Sequence, residues 1–141
     1  MYVGFLMNDN PHYHVTVAFN GKHETKAEYQ RAVLSAASVA NGWPHGPMAL
    51  RFEDELEHFE DADVWYARVV NAQIQELHER LKEQNDFFQV WYPNDYEDYI
   101  PHVTIVKGEP KPDENPYLHK LEIATRLSVV SYEYGKTHLL I

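Results

Sequence analysis

Short stretches of this chain alternate apolar and polar positions, and side chains on a strand leave alternately to opposite faces. Tyr2 to Met7 alternates weakly and runs into Asn8-Asp9-Asn10-Pro11, a turn signal, which predicts a first strand. Tyr13 to Phe19 predicts a second, stopped by Asn20-Gly21, with Val15, Val17 and Phe19 on its buried side. Met48, Leu50 and Phe52 predict a third, and Val64 to Val70 a strand partly apolar on both faces. Phe87 to Trp91 fits a short strand, and Ile123 to Tyr132 and Lys136 to Ile141 predict two closing strands around Tyr134-Gly135.

Helical spacing appears twice. Thr25-Lys26-Ala27-Glu28 is a capping-box pattern, in which each side chain satisfies the other residue's free backbone N–H. Tyr29, Ala32, Val33, Ala36, Ala37 and Ala40 then recur along one face until Asn41-Gly42. Ile74, Leu77 and Leu81 mark a second helix, roughly from Ala72 to Gln84, with Glu76, Glu79, Arg80 and Glu83 opposite. Between these elements lie a Pro/Gly loop from Gly42 to Pro47 and an acidic connection from Glu53 to Asp63, read as a solvated hairpin tip. Tyr92 to Pro101 is a further loop. Lys107 to Pro116, with three prolines and one glycine, is a loop or flap, and Tyr117 to Leu121 a short helical turn. The order of elements is loosely duplicated. It predicts an α+β domain over residues 1–141, with an antiparallel sheet in two lobes and helices outside.

One four-residue pattern occurs in both halves: His14-Val15-Thr16-Val17 and His102-Val103-Thr104-Ile105. On a strand the His and the Thr share a face and the β-branched residues share the other. A single His-x-Thr is ordinary, because threonine suits strands and histidine tolerates them. Two copies with the same apolar flanks, each after a polar, proline-containing approach, are hard to ascribe to chance.

The pair resembles the two signatures of the 2H phosphoesterase superfamily, named for its two His-x-Ser/Thr motifs. That superfamily includes LigT-type RNA 2′,3′-cyclic phosphodiesterases, tRNA-splicing cyclic phosphodiesterases and phage anti-CBASS nucleases that cut cyclic oligonucleotides. The segment Tyr96-Glu97-Asp98-Tyr99-Ile100-Pro101-His102-Val103-Thr104-Ile105 carries the resemblance most strongly. It implies two lobes related by a pseudo-twofold, with both motifs lining the cleft between them. It also implies that His14 and His102 are an acid–base pair and that Thr16 and Thr104 hold the phosphate. The sequence leaves open which histidine is the acid and which the base. Histidine suits this work because its ordinary pKa lies near neutrality, and hydroxyls donate to oxygens on which charge builds. The pair needs no metal and no other cofactor. His12 and His14 would suit a metal edge, but no nearby carboxylate has matching spacing.

Composition narrows the partner. The chain carries 22 acidic against 12 basic residues, a net charge of −10, which argues against a broad grip on long RNA or DNA. A small nucleotide, a cyclic oligonucleotide or a short RNA end remains compatible. With no cysteine there is no disulfide or Cys zinc site, which agrees with a cytoplasmic setting. No apolar run approaches the roughly 20 residues of a membrane span, and Met1 to Met7, with no basic region before it, reads as a strand and not a signal peptide.

Aromatic residues gather before the second motif. Trp91, Tyr92, Tyr96 and Tyr99 are candidates for a wall against a base, and for each the alternative is packing of the loop onto the sheet. Tyr99, three residues before His102, is the strongest of them as a substrate-binding residue. Glu133 and Lys136 are candidates for the cleft mouth. His78 and His119 read as surface residues, His45 as a loop residue and His138 as packing. The alternative to an enzyme is a nucleotide- or RNA-binding module that uses the same cleft without catalysis, and a further one is a structural adaptor in which the motifs are incidental.

Overall fold

A computed structural model of the chain describes residues 1–7, 12–21, 24–92 and 98–141. The turn signal at Asn8 to Pro11 and the candidate Tyr96 lie outside the described residues. The strands are β1 (Tyr2–Leu6), β2 (His14–Phe19), β3 (Met48–Phe52), β4 (Glu57–Phe59), β5 (Val64–Val70), β6 (His102–Lys107), β7 (Leu121–Ala124), β8 (Arg126–Ser131) and β9 (Gly135–Leu140). The described residues also form two helices, α1 (Lys26–Gly42) and α2 (Ile74–Phe87). The strands form one antiparallel sheet in the order β7-β3-β5-β6-β2-β1-β8-β9, with β4 added to β5.

The two expected lobes are the two halves of this curled sheet. They meet where β2 pairs with β6, with Val15 opposite Val103. Both valines have no exposure, so the β-branched residues of the two motifs build one core behind the seam. Met48, Leu50 and Phe52 are buried and alternate with exposed Ala49 and Arg51 along β3, as their spacing predicts. The capping box of α1 is formed: Thr25 Oγ1 accepts from the Glu28 N–H at 3.2 Å, and Glu28 accepts from the Thr25 N–H at 3.3 Å. Helix α1 packs against α2, β8 and β9, and α2 against β2. Ser35 Oγ donates to Asn85 Oδ1 at 2.6 Å and ties the helices together inside the core. No helix among the described residues is long and apolar enough to cross a membrane.

Four elements differ from their sequence reading. Helix α2 starts at Ile74 and continues to Phe87, so Phe87 to Trp91 is not a strand. The carbonyls of Gln84 and Asn85 capture the N–H groups of Phe88 and Val90, which closes the helix end and takes those groups from any ladder. The acidic connection contains strand β4, paired with β5 through Glu57 and Tyr66. The stretch from Ile123 to Tyr132 is broken at Thr125: β7 pairs with β3 in one half and β8 with β1 in the other. Alternation cannot report such a change of partner.

The fourth difference shapes the site. The register of β1 against β2 shifts between Val3 and Gly4, with Val3 opposite Ala18 and Gly4 opposite Thr16, so Val17 is the extra residue of a β-bulge. Beyond the bulge the faces exchange. Ala18 is buried with the core, and Phe19, expected behind the strand, turns to the cleft. Gly4 is required here, because a Cβ on it would lie 2.2 Å from the Val15 carbonyl oxygen.

Candidate active site

The Val15–Val103 pair sets the geometry of both motifs. In an antiparallel ladder the register places His14 level with Thr104, and Thr16 level with His102. All four side chains leave on the face opposite the two valines. Diagonal neighbours across such a pair lie roughly 7–8 Å apart, a spacing that one phosphate group can bridge. A cavity of about 980 Å³ opens beside the seam, walled by Thr16, His102, Thr104, Tyr99, His78 and Phe19 among others. His14 is not part of that wall; it stands next to it, stacked on the Tyr2 ring with centroids 4.2 Å apart.

The two motifs sit in different surroundings. His102 Nδ1 donates to the Ile100 carbonyl at 2.8 Å, which assigns the neutral ring's proton to Nδ1 and leaves Nε2 as an acceptor. Phe59 and Tyr66 stack on each other and each meets the His102 ring edge-on, with centroids 5.1 Å away. Arg68 on β5 is in register with His102, and its guanidinium is held by both oxygens of Glu57, at 2.7 and 3.0 Å. Burial pushes His102 below its ordinary pKa of 6.5; the bond to Ile100 opposes this and the Arg68 charge adds to it. His14 is also depressed, by burial first and then by the nearness of His102. Each imidazolium therefore disfavours the other, and the pair resists carrying two protons at once. The Arg68 bond holds the Glu57 carboxyl below its ordinary value, and burial pushes the Tyr2 phenol up to about 12, so it stays neutral beside His14.

Tyr99 and His78 clamp the bulge in β2. Tyr99 OH donates to the Thr16 carbonyl at 2.7 Å, and His78 Nδ1 donates to the Val17 carbonyl at 2.6 Å. Their rings stack, with centroids 4.0 Å apart and planes within 8°. Burial pushes the Tyr99 phenol up and the His78 imidazole down.

Several candidates stand where the sequence did not place them. His78 is buried and not a surface residue. It occupies the same stripe as Ile74, Leu77 and Leu81, a signal present in the spacing. The acidic connection ends in an exposed hairpin tip at Glu60, Asp61 and Ala62, as read, and these residues with Phe59 also border the cavity. Arg68 had no signal beyond strand alternation. Tyr92 lines the cavity with its hydroxyl bonded to Asp86, whereas Trp91 packs over Gly21 outside the wall. Glu133 and Lys136 are not part of the wall; they lie at the β8–β9 end of the sheet, far from the seam in strand order. His45 pairs with Glu76 at 2.6 Å, His138 with Ser128 at 2.6 Å, and His119 lies in a turn with φ of 57°.

Comparison with known proteins gives a family and a fold. The family model described as the 2′-5′ RNA ligase superfamily matches residues 8–134. No curated protein matches the chain. Protein TT0787 of Thermus thermophilus superimposes with a TM-score of 0.68 at 17% identity, over 99% of this chain and 93% of that one. Escherichia coli LigT complexed with 3′-AMP superimposes with a TM-score of 0.64 at 14% identity, again over 99% and 93%. A third structure, described as a phosphoesterase, gives 0.62 at 16% identity over 98% and 78%. At these identities the likeness is one of fold.

Proposed function

Because the chain belongs to the 2′-5′ RNA ligase superfamily of 2H phosphoesterases, we propose that it is a metal-independent phosphodiesterase. Membership supports phosphodiesterase chemistry in general. The observation that carries the finer reading is the register of the two motifs about Val15 and Val103 at the edge of one cavity.

His102 is the base in this reading. Its Nδ1–H is committed to Ile100, which leaves Nε2 of the neutral ring as an acceptor; burial and the Arg68 charge disfavour the imidazolium there, against the Ile100 bond, which favours it. His14 is then the acid. On a 2′,3′-cyclic phosphate, Nε2 of His102 takes a proton from water as the water oxygen bonds to phosphorus. The bond from phosphorus to one ribose oxygen breaks, and that oxygen receives the proton of His14. The product is a phosphomonoester, and proton exchange with solvent restores both rings. Thr16 and Thr104 donate to the non-bridging oxygens, each worth roughly 2–4 kcal/mol when preorganised. Tyr99 supports the substrate site by walling the cavity and by holding the Thr16 backbone.

The substrate is a small RNA-like phosphodiester, a 2′,3′-cyclic phosphate or a cyclic oligonucleotide. Crystals of the LigT relative hold 3′-AMP, phosphate or NADP+, which supports a small nucleotide here. Glu60, Asp61 and Asp98 along the cavity favour the ligand with the single phosphate. Degradation of a cyclic signalling oligonucleotide, as by phage anti-CBASS nucleases, is the second form of the same proposal.

The test is turnover in EDTA of a nucleoside 2′,3′-cyclic phosphate and of a 3′,5′-linked cyclic dinucleotide or trinucleotide, with His14→Ala and His102→Ala as controls. Loss of turnover in both variants, with the fold intact, supports the enzyme. Tight nucleotide binding without turnover in the wild type would make the cleft a binding module.

A further inference from the structure

His78 is a buried polar residue that the acid–base chemistry does not use. It is 6% exposed, lines the cavity and spends Nδ1 on the Val17 carbonyl. A ring that donates through Nδ1 and is held below its ordinary pKa by burial is neutral at pH 7, so Nε2 carries a lone pair. That nitrogen makes no hydrogen bond among the described residues, and the rest of the ring is fixed by Val17 and by the Tyr99 stack. An immobilised acceptor on a cavity wall lacks a donor among the described residues.

Its position in the fold says what the donor belongs to. The phosphate position is defined by His14, Thr16, His102 and Thr104 at the seam. His78 is fixed at the level of Val17, and Phe19 and Tyr92 lie on the same cavity wall. A strand advances roughly 3.3 Å per residue, so the region from Val17 to Phe19 lies one sugar's length beyond the phosphate position. Aromatic rings there suit the face of a base, and an in-plane acceptor suits an N–H on its edge.

We propose that His78 Nε2 is a specificity-determining acceptor for the exocyclic amino group of the substrate's nucleobase. The proposal rests on the phosphodiesterase reading for the placement of the phosphate, and it names the substrate class as an amino-bearing nucleotide. Lys82 lies one helical turn further along α2 on the same wall and is available to the nucleotide's own acceptors.

Equilibrium binding tests this without requiring turnover. The probes are adenosine 3′-monophosphate, purine riboside 3′-monophosphate, which lacks only the amino group, and 5′-deoxyadenosine 3′-monophosphate, which lacks only the 5′-hydroxyl. The wild type is expected to bind the first roughly fivefold to tenfold more tightly than the second, the worth of one hydrogen bond. His78→Asn still offers an amide to the Val17 carbonyl but places nothing at Nε2. It is expected to bring the affinities of the first two probes to the same value, whatever it does to their common level. Equal wild-type affinities for the first two probes overturn the proposal, and that comparison stands even if the variant fails to fold. A penalty confined to the 5′-deoxy probe also overturns it, by assigning the acceptor to the sugar. If nucleotides bind with the expected preference but no phosphodiester is cleaved, the phosphodiesterase reading fails and the base subsite stands.

Discussion

The two His-x-Thr motifs are nearly the same in sequence and are placed almost symmetrically about one pair of valines, yet their surroundings differ. The β6 copy is polarised: His102 is tied through Nδ1 to Ile100, boxed by Phe59 and Tyr66, and faced by the Arg68–Glu57 pair. The β2 copy is braced: His14 lies flat on Tyr2, and the backbone of Thr16 and Val17 is clamped by Tyr99 and His78. A reaction that needs one base and one acid assigns different roles to the two imidazoles. The asymmetry is supplied by neighbours from β5, β1 and α2, not by the motifs.

The largest effect that sharpens this contrast is loss of either histidine. His14→Ala and His102→Ala are each expected to lower kcat/KM by roughly 10²–10⁴-fold on a nucleoside 2′,3′-cyclic phosphate. A p-nitrophenyl phosphodiester, whose leaving group needs no proton, should restore most of the rate to His14→Ala and little to His102→Ala. Equal recovery in both would erase the assignment of acid and base.

Next come the threonines. Thr16→Val is expected to cost roughly 10²-fold or more in kcat, because the hydroxyl is carried by a braced backbone. Thr104 is exposed on its strand, so Thr104→Val should cost less. Steady-state rates for the two variants check the order, and a reversal would show that bracing does not decide which hydroxyl matters.

A smaller effect tests the brace itself. Tyr99→Phe removes the hydrogen bond to the Thr16 carbonyl and is expected to cost about 1 kcal/mol of stability, or roughly 3 °C in Tm by calorimetry. The same variant should lower kcat more than it raises KM. An unchanged kcat would limit Tyr99 to packing.

The smallest effect concerns polarisation. Both imidazoles are depressed below 6.5, so kcat/KM, which reports the free enzyme, should peak below pH 6.5. Arg68 lowers the His102 pKa, and a base must be neutral, so activity falls as pH drops through that pKa. Arg68→Gln raises it and should move the acid limb to higher pH by under about one unit. A limb that stays in place would remove Arg68 from the account.

Much of this site was legible in the chain. The motifs, the β-branched residues behind them, the capped first helix and the α+β order all follow from periods of 2.0 and 3.6, which are local properties of a backbone. His78 was within reach too, since it falls on the stripe of Ile74, Leu77 and Leu81.

Other features depend on partners distant in sequence. Phe19 faces the cleft because β1 meets β2 with one extra residue, and no alternation within β2 alone reveals a bulge. Thr125 divides β7 from β8 because the two strands pair in opposite halves of the sheet. Arg68 reaches His102 only through the register of β5 on β6. By itself the sequence determined the two His-x-Thr motifs and that the His and Thr of each share a strand face. Tertiary structure decided that both imidazoles are depressed and what lines the cavity, because pKa and exposure are set by neighbours that only folding brings together.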